Sequence, residues 1–308
     1  MSRLIARCPA KINLGLRVLG RRTDGYHEIV TLFQAIDLWD TLEAVHAPEL
    51  TLTADDPALP TDDRNLALRA AKLLRRRAPA TAGQGAALHL TKRIPAGGGL
   101  GGGSSDAAGS LVLLSRLWGL SLTAEDLCAM AAEIGSDVPF FLSGGTAAGF
   151  GRGERLESLA PIPERPLVLG FPPFALSTAE VYRALRAPLT PPDTGVTVSR
   201  LFVNFAERND FALATNDLEA PAFAMRGELV AFRDALVSLG AEPALLSGSG
   251  STVFGLFGAG ADVAPVVSRL GGTFPGWTLQ VSRTVAAGVR VDTSDSERSE
   301  SGLTPASP

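Results

Sequence analysis

The chain is poor in the residues that build disulfide frameworks and metal sites, and it has no excess of positive charge. Its 308 residues include two cysteines and three histidines, and 32 acidic residues outnumber 28 lysines and arginines. Cys8 and Cys128 are too few for a disulfide framework, and neither has a partner at metal-ligand spacing. The net charge of −4 argues against a nucleic-acid-binding protein, which usually presents a basic surface.

Long apolar runs are also missing. No stretch approaches the length that a membrane-spanning helix needs. Arg3, Arg7 and Lys11 interrupt the apolar residues at the N-terminus, which is unlike a secretory signal peptide. We therefore expect a cytoplasmic protein, a monomer or homodimer, with neither membrane nor nucleic-acid partners. With 45% hydrophobic residues, the sequence can form the core of one large domain or two ordinary ones.

Glycine, in contrast, is concentrated at one place. Residues 97–103 contain six glycines in seven positions, and Ser104, Ser105 and a helical pattern follow. Because glycine has no Cβ atom, the backbone N–H groups of such a loop can approach an anion closely. The helix that follows directs the positive end of its dipole to the same point. The loop therefore predicts a phosphate-binding site; a tight turn or a flexible linker is the alternative.

Two common phosphate-binding motifs do not fit this loop. Gly97, Gly99 and Gly102 match the dinucleotide fingerprint formally, but the acidic residue expected about 20 positions later falls at a predicted helix start, at Glu125 and Asp126. The loop is not a P-loop either, because no Gly-Lys-Ser/Thr sequence ends it. It is a different kind of phosphate loop, in which the two serines can bind phosphate oxygens or a metal ion.

The pattern of apolar residues predicts alternating strands and helices. Apolar residues alternate with polar ones over residues 10–18, which predicts a half-buried strand with Lys11 and Asn13 on its polar face. Further strands are predicted over residues 28–45, 49–54, 88–91, 167–171 and 252–257. Helices are predicted over residues 65–77, 107–117, 123–135, 179–186, 219–239 and 261–270.

The same pattern suggests where the domains end. The chain becomes rich in glycine and hairpin-like over residues 144–153, so we expect an N-terminal domain of residues 1–154 and a C-terminal domain of residues 155–288. Serine, acidic residues and proline dominate the remainder, and we expect residues 289–308 to be a disordered tail.

Taken singly, the remaining polar residues have ordinary explanations. Lys11 would be a solvated strand residue, and Asp137 would be an aspartate at a turn or helix end. Asn13 would lie at the surface, and Tyr26 and His27 would pack under a turn. Only their combination in one order along the chain is informative.

Five segments together resemble the GHMP kinase superfamily, named for galactokinase, homoserine kinase, mevalonate kinase and phosphomevalonate kinase. These segments are residues 9–14 (PAKINL), 24–27 (DGYH), 95–105 (PAGGGLGGGSS), 135–141 (GSDVPFF) and 247–251 (SGSGS). The glycine loop alone would indicate only the superfamily. The segments PAKINL and DGYH are similar to the branch whose acceptor is a cytidine diphosphate sugar-alcohol, and the resemblance covers about residues 5–285.

This resemblance implies an α+β, two-domain GHMP kinase fold with the active site in the cleft between the domains. The N-terminal domain would be an α/β domain like that of ribosomal protein S5, and the C-terminal domain would be a ferredoxin-like α+β domain. The resemblance also implies a kinase that uses ATP and Mg²⁺ to phosphorylate the 2-hydroxyl of a diphosphocytidyl methylerythritol in the non-mevalonate isoprenoid pathway.

Site residues follow from the resemblance position by position. Lys11 and Asp137 match the catalytic pair, with Asp137 as base or hydroxyl orienter and Lys11 as its electrostatic partner. The residues that match the ATP site are Pro95, Ala96, Gly97, Gly98, Gly99, Leu100, Gly101, Gly102, Gly103, Ser104, Ser105, Asn65 and Lys92. The residues that match the substrate site are Asn13, Tyr26, His27, Asp137 and Tyr182. Ser105 is the candidate metal ligand.

Two alternatives stay open at this point. The chain could be a GHMP kinase of the homoserine or mevalonate type, although such an enzyme would not need Tyr26 and His27. It could also be a ligand-sensing homologue without catalytic activity, although the presence of both Lys11 and Asp137 argues against this.

Overall fold

A computed structural model describes residues 3–78, 84–185, 211 and 214–293 of the chain. The strands in this part are β1 (Leu4–Arg21), β2 (His27–Ala47), β3 (Leu50–Ala54), β4 (Gly85–Thr91), β5 (Thr146–Gly151), β6 (Arg155–Ser158), β7 (Pro166–Phe171), β8 (Ala244–Leu246), β9 (Val253–Leu256), β10 (Thr278–Arg283) and β11 (Arg290–Thr293). The helices are α1 (Leu66–Arg77), α2 (Gly102–Leu117), α3 (Ala124–Ile134), α4 (Val138–Ser143), α5 (Thr178–Ala184), α6 (Glu219–Met225), α7 (Gly227–Ser238) and α8 (Ala264–Thr273).

The strands form two sheets. The first sheet has the order β11-β1-β2-β4-β3, with β5 paired to β2 and β6 paired to β5. Its helices α1 to α4 pack over a core to which strands and helices contribute buried apolar side chains such as Leu42, Leu74, Leu111 and Phe140. Burial of this apolar surface is the main stabilising term of the domain.

The second sheet has the order β10-β7-β9-β8, and all of its pairs are antiparallel. Helices α7 and α8 contribute to its core, where the rings of Phe232 and Trp277 stack 4.2 Å apart. A third cluster joins the two sheets, because Ile12 and Leu32 of the first sheet pack with Phe254 of the second. This shared apolar core fixes the two domains against each other and sets the width of the cleft between them.

Helix ends largely follow the predicted capping residues. The side chain of Asn65 accepts a hydrogen bond from the N–H of Ala67 at the start of α1, and Thr123 and Asp126 form a capping box for α3. In contrast, α2 begins at Gly102, five residues before the predicted start, so both loop serines lie in its first turn.

Two predicted elements differ from the structure. The helix predicted over residues 219–239 is two helices, because Arg226 adopts extended backbone angles (φ −143°, ψ 92°) between them. Residues 136–139, predicted as a loop, contain the start of the short helix α4, with Pro139 in its first turn where a missing N–H costs little.

The pairing of β5 with β6 bears on the predicted domain boundary and tail. Both strands of the β5–β6 hairpin belong to the first sheet, and this hairpin spans the boundary expected at residue 154. We therefore propose that the first domain extends to Ser158. The prediction that residues 289–308 are disordered is wrong for residues 290–293, because they form β11, which pairs with β1, and Val291 packs against the core of the first sheet. Residues 294–308 lie outside the described part of the chain.

None of the helices in the described ranges combines the length and the apolar character that crossing a membrane requires.

Candidate active site

The glycine loop lies in the cleft and contacts both domains. Gly97, Gly99 and Gly101 have positive φ angles of 72°, 79° and 72°, a region that L-residues with side chains rarely adopt. A Cβ atom on Gly99 would lie 2.1 Å from the backbone oxygen of Ser247, and one on Gly101 would lie 2.6 Å from Phe141. Glycine is therefore required by backbone conformation at all three positions and also by close packing at Gly99 and Gly101.

The serine-rich loop between β8 and β9 holds the glycine loop from the second domain. The hydroxyl of Ser247 donates to the backbone oxygen of Gly99 at 2.9 Å, and the N–H of Thr252 donates to that of Gly98 at 3.2 Å. The side-chain amide of Asn216 in turn donates to the backbone oxygens of Leu246 and Gly248, at 2.9 and 2.7 Å. These bonds fix the glycine loop and the loop between β8 and β9 against each other at the domain junction.

Lys11 points into this junction from β1. Its side chain is 4% exposed, and Nζ donates to the backbone oxygen of Gly99 at 2.8 Å and to Oδ1 of Asn13 at 2.7 Å. Burial lowers the pKa of Lys11, and Asp137 partly offsets this by favouring the charged ammonium. Nδ2 of Asn13 donates to the hydroxyl of Thr31, so Asn13 orients the ammonium from behind.

Asp137 stands at the N-cap position of α4 and faces Lys11 across the cleft. Its Oδ2 lies 3.7 Å from Nζ of Lys11, and its side chain is 34% exposed. A Cβ atom placed on Gly153 would lie 3.8 Å from Oδ1 of Asp137, so the β5–β6 hairpin runs close to this carboxylate. A half-exposed carboxylate beside a buried ammonium can accept a proton or a hydrogen bond from a hydroxyl group in the cleft.

A cavity of about 800 Å³ adjoins this pair. Its wall carries aromatic side chains: the rings of His27 and Tyr182 stack 4.9 Å apart, and the guanidinium of Arg152 lies 4.8 Å from the ring of Tyr26. Burial and Arg21 lower the pKa of His27, which favours its neutral form. Burial, with a smaller contribution from Asp137, raises the pKa of Tyr182.

The aromatic cavity continues toward Lys11 and Asp137. A smaller space of about 200 Å³ is lined by these two residues, and it shares Arg152, Thr178 and Tyr182 with the larger cavity. The arrangement therefore brings a glycine loop, an ammonium–carboxylate pair and an aromatic cavity into one continuous cleft.

Comparison with known proteins agrees with this geometry. Residues 65–145 match the model of the GHMP kinases N terminal domain, and residues 202–275 match that of the GHMP kinases C terminal region. A curated 4-diphosphocytidyl-2-C-methyl-D-erythritol kinase of Pelotomaculum thermopropionicum is 44% identical over 82% of this chain and 88% of its own. The chain belongs to the GHMP kinase family.

Solved structures support the same fold. A crystal structure of 4-(cytidine 5'-diphospho)-2C-methyl-D-erythritol kinase aligns with a TM-score of 0.74 at 38% identity, covering 91% of this chain and 98% of the other. A homoserine kinase from Cytophaga hutchinsonii aligns with a TM-score of 0.76 at 20% identity, covering 95% and 98%, which shows the fold alone. The predicted two-domain α+β fold and the kinase activity are confirmed.

Two residues predicted to bind ATP, Asn65 and Lys92, use their side chains in hydrogen bonds and ion pairs within the protein. Asn65 uses its side-chain amide to accept from the N–H of Ala67 and to donate to the backbone oxygen of Pro60, both at 2.9 Å. Lys92 is bound between Asp40 and Asp106 below the glycine loop, with Nζ 2.8 Å from Oδ2 of Asp106. These contacts favour supporting roles for Asn65 and Lys92 over direct contact with a nucleotide.

The buried charges around Lys92 shift one another's pKa values. Although burial disfavours its charge, the carboxylates of Asp106 and Asp40 raise the pKa of Lys92. Burial raises the pKa of Asp106 to about 7, because the opposing effect of Lys92 is weaker and Asp40 adds to the increase.

The two loop serines differ in their access to the cleft. Ser105 is fully buried, which disfavours it as a ligand for a metal ion in the cleft, although its hydroxyl has no hydrogen-bond partner in the described part of the chain. Ser104 is partly exposed beside the exposed Gly103. No cluster of three or more His, Cys, Asp or Glu side chains in the described ranges could hold a metal ion.

Several site residues were missed by sequence reasoning. Arg152 follows a glycine-rich run that gave no signal of function, yet it lines both cavities. Asn216 had no motif around it, and its two bonds to the loop after β8 appear only in the fold. The hydroxyls of Thr178 and Ser249 lie 2.8 Å apart, and this contact between distant segments appears only in the fold.

Proposed function

We propose that this kinase transfers the γ-phosphoryl group of ATP to the 2-hydroxyl of 4-diphosphocytidyl-2-C-methyl-D-erythritol. The observation that carries the proposal is the position of the Lys11–Asp137 pair, which lies between the glycine loop on one side and the aromatic cavity on the other. The compound is the one in the names of the relatives that match most of the chain.

The glycine loop and the start of α2 form the ATP side of the site. The first turn of α2 leaves backbone N–H groups without helical partners, and the dipole of this 16-residue helix favours anions at that end. Gly103 is exposed there, and no neighbouring atom lies within 4 Å of a Cβ placed on Gly97. This open backbone suits the β- and γ-phosphates of ATP.

The aromatic cavity forms the acceptor side. His27, neutral because its pKa is lowered, can exchange hydrogen bonds with the edge of a cytosine, and the exposed ring of Tyr26 offers a stacking surface. Arg21, Arg152 and Arg183 line the same cavity and supply positive charge for a diphosphate. An acidic protein can therefore attract a polyanionic substrate locally.

The transfer step uses both members of the catalytic pair. Asp137 accepts the proton of the substrate hydroxyl, whose oxygen forms a bond to the γ-phosphorus as the bond to the bridging oxygen of ADP breaks. Lys11 reduces the negative charge that the transferring phosphoryl group meets. Gly99 and Asn13 hold the ammonium so that it does not reorganise during the reaction.

Mg²⁺ would accompany the nucleotide. The hydroxyl of Ser104 and the phosphate oxygens would hold the ion, whose role is to neutralise charge on the phosphates.

The test is identification of the product. The purified chain is incubated with ATP, Mg²⁺ and, separately, 4-diphosphocytidyl-2-C-methyl-D-erythritol, homoserine and mevalonate. Phosphorus NMR and mass spectrometry should show ADP and one new phosphomonoester with the cytidyl compound only. Turnover of homoserine or mevalonate without turnover of the cytidyl compound would overturn the proposal.

A further inference from the structure

A buried cluster of three charges lies below the glycine loop. Lys92 follows β4, Asp40 lies in β2 and Asp106 lies in the second turn of α2. The side chains of Asp40 and Asp106 are 0% and 3% exposed, and that of Lys92 is 11% exposed. Lys92 bonds to both carboxylates, so one ammonium faces two buried acids.

Asp40 also fixes the chain that leads into the loop. Its Oδ1 accepts hydrogen bonds from the N–H groups of Arg93 and Ile94, at 2.6 and 2.9 Å. Its Oδ2 binds the ammonium of Lys92. One carboxylate therefore holds both the backbone just before Pro95 and the lysine side chain, and this gives the ammonium a fixed position.

That position is immediately below the first residue of α2. A Cβ atom placed on Gly102 would lie 3.0 Å from Nζ of Lys92. Since side chains on a helix tilt toward its N-terminus, the carboxylate of Asp106 is drawn to the same end of α2. This helix end is the one to which the proposed function assigns the ATP phosphates.

The electrostatic consequence is large. A carboxylate near a helix N-terminus would offset the positive field that attracts a polyphosphate, and charges that are shielded from water act over longer distances than exposed ones. The ammonium of Lys92 opposes this effect and ties β2, α2 and the end of β4 together at one point.

We propose that Lys92, held by Asp40, is a positioning residue for ATP. It neutralises Asp106 below the first turn of α2 and does not itself contact the nucleotide. The inference rests on the proposed placement of the phosphates, but it does not depend on which alcohol is the acceptor.

Nucleotide binding in charge-matched variants tests this. We expect Lys92→Met to weaken the binding of a non-hydrolysable ATP analogue with Mg²⁺ by at least about tenfold in calorimetric titration, since it removes the ammonium that both buried acids face. The double variant Lys92→Met with Asp106→Asn should recover most of that loss. In enzyme that turns over, the KM for ATP should follow this pattern while the KM for the acceptor changes less than about threefold.

The double variant separates this proposal from a purely structural role. If Lys92 acted only by packing, removing a second polar partner would leave nucleotide binding as weak as in the single variant, and that result would overturn the proposal. Lys72→Met is the matched control, because Lys72 pairs with Asp63 at the exposed surface of the same domain. It should bind the analogue within about twofold of the wild type.

A further variant keeps the test decisive if Lys92→Met does not fold. Asp106→Asn preserves the shape of the side chain and leaves Lys92 paired with Asp40. We expect it to bind the nucleotide as tightly as the wild type or up to about threefold more tightly, and a weakening of tenfold or more would contradict the proposal. Because binding is measured without an acceptor, these outcomes are independent of whether the cytidyl compound is the substrate.

Discussion

The ammonium of Lys11 lies 3.7 Å from the carboxylate of Asp137, but water reaches the two groups very unequally. The side chain of Lys11 is 4% exposed, and that of Asp137 is 34% exposed. Two further acceptors, Gly99 and Asn13, fix the ammonium, whereas Asp137 faces the cleft. The buried partner is thus preorganised, and the open partner is available to a substrate. Because of this asymmetry, substituting Lys11 and substituting Asp137 should have effects that can be measured separately.

Substituting Asp137→Asn should abolish the proton acceptor without changing the size of the side chain. We expect kcat to fall by about 10² to 10⁴, as is typical when a general base is lost, while nucleotide affinity stays within about threefold. Steady-state kinetics and calorimetric titration measure the two quantities. A variant that keeps a near-normal kcat would show that Asp137 is not the base.

Substituting Lys11→Met should remove the charge and keep the length of the side chain. We expect kcat to fall by about 10² or more, because a preorganised cation at the transferring phosphoryl group is lost. The KM for ATP should also rise, since the bond that holds Gly99 disappears. Lys72→Met again serves as the surface control, and a wild-type rate constant for Lys11→Met would refute the assignment.

The pH dependence of the rate should show an alkaline limb from Lys11. Burial lowers the pKa of Lys11 below 10.5, and Asp137 partly opposes this. If the protonated ammonium is required, kcat is full below the folded-state pKa and falls as the pH rises through it. The limb should therefore lie below pH 10.5.

The pH dependence of the residual activity of Asp137→Asn tests whether Asp137 raises the pKa of Lys11. Without the negative charge that favours the ammonium, the pKa of Lys11 falls further, so the limb should move to lower pH. Single-turnover rates across the alkaline range measure this. An unchanged limb, or one that moves upward, would contradict the coupling of the two residues.

Substituting Tyr182→Ala should weaken binding of the acceptor and leave ATP unaffected. The ring of Tyr182 stacks on His27 in the cavity wall and so holds the imidazole that the proposed function assigns to the edge of the cytosine; aromatic recognition of a base contributes about 1–3 kcal/mol. We expect the KM for the acceptor to rise about fivefold to 100-fold. Tyr182→Phe keeps the ring and should stay within about threefold; equal losses in both variants would argue against stacking.

Two glycines of the loop should differ sharply when changed to alanine. Gly97 has open space around it, so Gly97→Ala should cost only the strain of a positive φ, about 1–2 kcal/mol of unfolding free energy. A Cβ on Gly99 would lie 2.1 Å from the backbone oxygen of Ser247, so Gly99→Ala should cost more and weaken nucleotide binding. Denaturant unfolding and nucleotide titration measure both effects. Similar losses of stability and nucleotide affinity in the two variants would contradict the close packing of Gly99 against Ser247 of the second domain.

Much of the site could be predicted because its residues lie in short local motifs. The alternation around Lys11 predicts its strand, and the glycine run predicts a helix N-terminus at a phosphate. Local patterns cannot show, however, that the polar face of β1 is covered by another domain. Lys11 and Asn13 were expected on a solvated face, but both are buried because the loop after β8 lies against them.

The remaining site residues depend on contacts between distant segments. The resemblance assigned Lys92 to the ATP site, and only the fold brings Asp40 from β2 and Asp106 from α2 to its ammonium. Arg152 follows a glycine-rich hairpin strand, and nothing in its neighbourhood indicates that the hairpin turns it toward the cleft. Such residues become visible only when the tertiary structure is known.

The return of β11 to the first sheet makes the second domain an insertion within the first. Leu4 pairs with Thr293, so the two ends of the described chain are neighbours on one sheet, separated by about 5 Å. A truncation after Arg283 would remove β11 and leave the backbone N–H and C=O groups on the outer edge of β1 free to pair with another chain. β11 therefore protects the edge of β1 from edge-to-edge aggregation.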